Sequence, residues 1–198
     1  LVSALGVFSL GGELVPLDFK LSPQEHLSLL QHSQPQFVII ERHLLKKLRS
    51  VEGFEGLKCS FIVLDATGDE AEFLVWENVR GKEVATGARK RSDIACIVYS
   101  SGTGGAPKGC MLTHGNYLAQ AESLAAIYPI LESDRVLSVL PTNHAIDFMC
   151  GFILPFVFGA AVVHQRTLRP KYLTGTMKRY GITHMAVVPM LLEVLEEG

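Results

Sequence analysis

No block of like charge interrupts this sequence: 18 Lys and Arg face 20 Asp and Glu, for a formal charge of −2, and both signs are scattered. That excludes a nucleic-acid groove and a polybasic membrane anchor as partners' sites. Cysteine is equally uninformative as a scaffold. The four residues Cys59, Cys96, Cys110 and Cys150 show no C-x-x-C pair and mostly neighbour apolar residues, so they are expected to be reduced core cysteines of a cytosolic protein. No 20-residue stretch is continuously apolar. The best candidate, Ala145 to Val163, is interrupted by Asp147, Gly151, Pro155 and Gly159. It reads better as a buried helix breaking into a strand, Ala160 to His164, than as a membrane span. The opening LVSALGVFSLGG has no Met and no basic leader, so it makes a poor signal peptide and reads as a chain cut inside a helix. Internal repeats are lacking too.

What is present is apolar material for a sizeable core: 48% of the 198 residues are hydrophobic, with a mean hydropathy of +0.27. Short β-branched runs alternate with helical spacing, which predicts an α/β fold with a largely buried, largely parallel sheet flanked by helices. Expected strands are Leu14 to Val15, Phe37 to Ile40, Ser60 to Leu64, Ile94 to Tyr99, Arg135 to Leu140, Ala160 to His164 and Thr183 to Val188. A helix should begin at Ser22, where Ser22, Pro23 and Glu25 form a capping box with Pro in the first turn. Others are expected from Thr113 to Leu131, from Arg169 to Tyr180, and from Pro189 onward. The charged, Gly-containing stretch Asp65 to Arg91 reads as an irregular excursion.

Chemistry concentrates in Tyr99 to Gly109, YSSGTGGAPKG, directly after an apolar strand. Glycines let backbone N–H groups approach an anion, hydroxyls donate to phosphate oxygens, and an ammonium neutralises them. The segment fits neither the Walker pattern, because Lys108 lies between Pro107 and Gly109, nor the dinucleotide pattern, because Pro107 falls where its last Gly belongs. A plain Gly/Ser turn is the alternative reading.

The run Tyr99 to Asn116, YSSGTGGAPKGCMLTHGN, resembles the phosphate-loop signature of the adenylate-forming superfamily, which includes acyl-CoA synthetases, luciferases and peptide-synthetase adenylation domains. That signature runs T-S-G-T-T-G-x-P-K-G, then L-T-H-x-N. Two departures stand out. Ser100 replaces Thr, and Gly104 replaces a hydroxyl residue, removing one phosphate donor and raising the ordering cost of the loop by about 0.5–1 kcal/mol. Leu10 to Ile39 is similar to the family's A-G-x-x-x-V-P-L-D segment, and Leu140 to Gly151, LPTNHAIDFMCG, to its P-x-x-H segment.

The resemblance implies part of the large N-terminal AMP-binding domain of such an enzyme over residues 1–198, without the small C-terminal domain. It implies an acyl-CoA synthetase of the long-chain fatty-acid type, using ATP, Mg2+ and CoA. Lys108 and Thr103 are then the catalytic candidates. Ser100, Ser101, Gly102, Thr103, Gly104, Gly105 and Lys108 would hold the nucleotide phosphates. His144 and Gly151 would border a hydrophobic carboxylic acid, a fatty acid by the apolar character of Phe148 to Phe158, although core packing produces the same composition. His144, Asp147 and Cys150 could instead form an incomplete metal site or a cysteine nucleophile. No metal ligand set is assigned. A carrier protein in place of CoA, or a non-catalytic nucleotide-binding module, are the alternative functions. No nucleic acid partner and no transmembrane span are expected; the location would be cytoplasmic or peripheral to a membrane. The family's adenine, ribose and distal Lys motifs match no segment here, so the chain alone is expected to be inactive.

Overall fold

The computed structural model describes residues 1–66, 73–81, 86, 88–100 and 107–196. In chain order the first elements are helix α1 (Val2–Leu10), helix α2 (Pro23–Ser33), strand β1 (Phe37–Ile40), helix α3 (Arg42–Arg49), and strands β2 (Ser60–Val63), β3 (Leu74–Val75), β4 (Ile94–Ser100) and β5 (Lys108–Thr113). Helix α4 (His114–Ile127), strand β6 (Arg135–Ser138), helix α5 (Ala145–Phe148), a π-helical turn (Met149–Ile153) and helix α6 (Leu154–Phe158) follow. Strand β7 (Ala161–His164), helix α7 (Pro170–Tyr180), strand β8 (His184–Met185) and helix α8 (Pro189–Glu196) complete the order. They form two compact units, Leu1–Leu14 with Ala88–Val98 and Met111–Gly198, and Val15–Gly87 with Tyr99–Cys110.

In the second of these units β1, β2 and β3 form a parallel sheet in that order, with Phe37 opposite Ser60 and Val63 opposite Val75. The predicted capping box at α2 is present: Glu25 N–H donates to Ser22 Oγ at 3.3 Å, and Ser22 N–H donates to the Glu25 carboxylate at 2.8 Å. Leu27 and Leu30 of α2 and Leu45 and Leu48 of α3 bury against Phe61, Val63 and Val75. Each fully buried leucine there contributes roughly 1.5–3 kcal/mol.

The other unit holds a parallel sheet in the order β7-β6-β8, with Ser138 opposite His164 at the carboxyl ends of β6 and β7. Side chains on β6 alternate between two apolar layers. Val136 packs with Phe148, Phe152 and Leu154, while Leu137 packs with Leu173 of α7 and Leu191 of α8. The helical stretch through α5 and α6 is buried in its middle, at residues 147–149 and 151–155, while Ile146, Phe156 and Val157 are exposed, and it breaks at Gly159, which takes φ 75°, before β7. Pro155 has no N–H to donate. The turn ahead of it widens, so that Leu154 N–H reaches Met149 C=O, five residues back. Among the described residues, no helix is long and apolar enough to cross a membrane.

Three expectations change. The phosphate loop leads first into β5, which pairs with β4, and only then into a helix; Lys108 and Gly109 are weak strand formers that a paired neighbour overrides. The expected strand at Leu14 shrinks to a single bridge with Cys96. Cys110, expected in the core, is exposed on β5, because both faces of that strand are exposed from Lys108 to Met111.

Candidate functional site

Strand β4 carries the chain to Ser100, and Lys108 opens β5 with its side chain exposed. Ser101, Gly102, Thr103, Gly104 and Gly105 lie outside the described residues. The loop is thus framed by its two stems. On the β4 side, the Tyr99 hydroxyl is 2.7 Å from His32 Nδ1 of α2, and the two rings meet edge to face with centroids 5.6 Å apart. Burial pushes the Tyr99 phenol above its ordinary range, with Ser33 pulling it back in part, so Tyr99 stays a neutral hydrogen-bonding anchor.

On the β5 side, the L-T-H-x-N run builds the start of α4. Thr113 is the N-cap: Asn116 N–H donates to Thr113 Oγ1 at 3.1 Å, and Thr113 N–H donates to Asn116 Oδ1 at 2.9 Å. This is a capping box with Asn in the usual place of Glu. His114 N–H donates to Asp93 C=O at 3.0 Å, and the His114 ring stands edge-on to Phe8, with centroids 5.7 Å apart. Gly115 N–H donates to Arg91 C=O at 2.7 Å, where a Cβ would come within 2.8 Å of that oxygen. Thr113, Gly115 and Asn116 therefore act on backbone placement. The capping-box spacing could have revealed this in the sequence.

His144 caps α5 through its backbone: its N–H donates to Pro141 C=O at 2.9 Å and its C=O accepts from Phe148 N–H at 2.9 Å. Its side chain is exposed, whereas Asp147, in the first turn of α5, is only 1% exposed. Ser138 Oγ donates to Asp147 Oδ2 at 2.9 Å, and His164 Nδ1 lies 2.9 Å from the same Ser138 oxygen. Gly151 sits two turns after His144 but is buried, and a Cβ there would approach Asp147 Oδ1 to 2.8 Å and Ser138 Cβ to 3.0 Å. Its lack of a side chain makes room for that carboxylate. Asp147 and Gly151 are thus brought together against β6, while His144 stays outside.

Burial lowers the His164 pKa, with the Asp147 charge drawing it partly back up. The Cys150 thiol is pushed up by burial and by Asp147, which runs against a reactive thiolate. No group of three or more His, Cys, Asp or Glu among the described residues is placed to hold a metal ion. Ser138 and His164 were missed in the sequence, where a Ser and a His at strand ends carry no motif; only the Asp inside an apolar run hinted at a partner.

A family model described as AMP-binding enzyme matches residues 1–197. Over 106 residues, 54% of this chain and 14% of the relative, the sequence is 39% identical to a long-chain-fatty-acid–[acyl-carrier-protein] ligase, chloroplastic, from Arabidopsis thaliana. It is 28% identical to a long-chain-fatty-acid–CoA ligase from Thermus thermophilus over 91% of this chain and 34% of the relative. Among solved structures, O-succinylbenzoate coenzyme A synthetase from Bacillus subtilis in complex with AMP aligns with a TM-score of 0.80 at 26% identity, covering 98% of this chain and 47% of that one. The chain spans less than half the length of each of these proteins. The phosphate-loop signature from Tyr99 to Asn116, the parallel α/β architecture and the match over residues 1–197 agree, and the chain belongs to the AMP-binding enzyme family of adenylate-forming enzymes.

Proposed function

We propose that this chain is the phosphate-loop part of the large N-terminal domain of an ATP-dependent, AMP-forming acid–thiol ligase, and that the whole protein activates a fatty acid and transfers it to CoA. The observation that carries the reading is the signature Ser100 to Gly109, mounted between β4 and β5 with the Lys108 side chain exposed, inside a family match over residues 1–197. The fatty-acid class rests on the likeness to the Arabidopsis and Thermus ligases.

In the first half-reaction a carboxylate oxygen of the acid bonds to the α-phosphorus of ATP while the bond to pyrophosphate breaks. In the second, a thiol sulfur bonds to the acyl carbon, loses its proton, and AMP departs. The first step asks the protein for positioning and charge neutralisation. Hydroxyls of Ser100, Ser101 and Thr103 and backbone N–H groups at Gly102, Gly104 and Gly105 supply donors of the kind that phosphate oxygens accept. The ammonium of Lys108 offsets the charge gathering on the departing pyrophosphate. Magnesium would enter bound to ATP and neutralise the same oxygens. His144, exposed at the start of α5, borders the acid.

A second reading, transfer to a carrier-protein thiol, is favoured by the 39% identity to an acyl-carrier-protein ligase. The deciding experiment uses the full-length protein that contains this chain. Pyrophosphate exchange dependent on a long-chain acid, followed by thioester formation with CoA but not with a phosphopantetheinylated carrier protein, is the expected outcome. Thioester on the carrier alone selects the second reading. Absence of exchange with every acid tried, together with retained ATP binding, points to a non-catalytic module.

A further inference from the structure

The segment bearing the P-x-x-H residues leaves the sheet at Ser138 and enters α5 by Asp147. Those two residues close it at its base: Ser138 Oγ donates to Asp147 Oδ2 at 2.9 Å, nine residues apart in sequence, and both are almost fully buried. His144 rides on the loop so formed, three residues before the anchoring carboxylate and hydrogen-bonded through its own backbone to Pro141 and Phe148. A short segment tied at both ends keeps few conformations. A carboxylate removed from water is retained only where its hydrogen bonds are made.

The proton count fixes the third link. Ser138 Oγ has one proton, and it goes to Asp147 Oδ2. The Ser138 oxygen can then only accept from His164 Nδ1, 2.9 Å away. The imidazole on β7 therefore carries its proton on Nδ1, not on Nε2. The chain runs His164 Nδ1–H to Ser138 O–H to Asp147, across two neighbouring parallel strands and the first turn of a helix. It sits at the carboxyl ends of those strands, where open α/β sheets present their ligand crevices. Gly151 completes it, since any side chain there would meet the Asp147 carboxylate.

We propose that Asp147, Ser138 and His164 form a positioning chain, buried at Asp147 and Ser138 and open to solvent at His164, that staples the His144 loop to the sheet and so sets the acid-binding side of the site. None of the three needs to touch substrate. The proposal rests on the assignment of His144 to the acid side made above, and it predicts a division of kinetic effects: loosening the staple displaces His144 and leaves the phosphate loop where it is. Misplacement of a positioning group costs on the order of tenfold or more in the parameter it controls.

The test has two arms on the full-length protein that contains this chain. In the first, nitrogen chemical shifts of His164 at neutral pH should show a pyrrole-type Nδ1 and a pyridine-type Nε2, and Asp147→Ala or Ser138→Ala should abolish that pattern. The opposite tautomer in the unmodified protein overturns the chain, whatever the activity. In the second, pyrophosphate-exchange kinetics of Asp147→Ala should show a KM for the acid raised about tenfold, with the KM for MgATP within about twofold of the unmodified protein. Unchanged acid kinetics despite a lost tautomer pattern, or equal losses for acid and ATP, overturns the positioning role. Should Asp147→Ala fail to fold, Ser138→Ala deletes the middle link without adding bulk, and its kinetics decide in the same way. Failure of the unmodified protein to adenylate any acid counts against the functional assignment alone, because the nitrogen shifts are read without turnover.

Discussion

The Tyr99 hydroxyl is held 2.7 Å from His32 Nδ1, one residue before the last residue of β4 and the start of the phosphate loop. The contact ties the loop's entry stem to the carboxyl-terminal turn of α2, and it forms wholly within one compact unit. Tyr99→Phe keeps the ring and removes the hydroxyl. A loss of about 1 kcal/mol is expected for one such hydrogen bond, read as a lower denaturant midpoint with an unchanged slope. If the stem positions the phosphates, the KM for MgATP in pyrophosphate exchange should also rise while the KM for the acid holds. A shift in acid KM alone would detach Tyr99 from the phosphate loop.

The four cysteines should label in an order set by burial. Cys110 is exposed on β5 and should react first with a maleimide. Burial pushes the Cys59 and Cys150 thiols up, so they should react more slowly. Cys96, fully buried on β4 and pushed up to about 11 by burial against a partial offset from Tyr117, should react last, after unfolding. Because the thiolate is the reactive species, a raised pKa and lost access act in the same direction. Peptide mapping after timed labelling checks the order, and MgATP should slow Cys110, two residues from Lys108 on one strand.

Thr113→Ala should destabilise the protein by about 0.5–2 kcal/mol, the usual range for loss of an N-cap. The side-chain half of the box disappears, together with the bond that Thr113 Oγ1–H donates to the Asn116 amide oxygen at 2.9 Å, while the backbone half, Thr113 N–H to Asn116 Oδ1, remains. Thr113→Ser retains the hydroxyl and should recover most of the loss. Thermal melts of the two variants measure it. Equal destabilisation by Ala and Ser would show that the methyl group, not the cap, matters at this position.

How much of this was legible in the sequence depended on how local each signal is. Ser22, Pro23 and Glu25 announced α2 because a capping box is written in four consecutive residues. The apolar strands β1, β4 and β7 were legible for the same reason. Strand β3, Leu74–Val75, was not, because two residues become a strand only through pairing with β2. Strand β5 hid behind Lys108 and Gly109, whose strand character comes from β4. Thr113 and Asn116 are signature positions whose capping role was legible too, from their spacing at the expected helix start. Ser138 and His164 lie 26 residues apart. Only the β6–β7 register brings them together, so no pattern in either segment points to the other.

Lys108→Ala should weaken adenylation more than it weakens thioester formation from supplied acyl-adenylate. The Lys108 side chain is exposed at the first residue of β5, on the strand face that also carries Cys110. An ammonium at the end of the phosphate loop interacts with negative charge as it accumulates on the leaving pyrophosphate. That charge exists in the first transition state and is gone from the second, so its stabilisation is specific to one half-reaction. Loss of one such charge contact at a reacting group is worth about 2.7–4 kcal/mol, or roughly a hundred- to a thousandfold in rate. The full-length variant should therefore show pyrophosphate exchange reduced by about that factor, with thioester formation from supplied acyl-adenylate reduced by less than about tenfold. Lys108→Arg should restore little, because a planar guanidinium fork presents its charge differently from a compact ammonium. Equal losses in the two half-reactions would instead assign Lys108 to general binding of the adenylate, or to the fold of the loop itself.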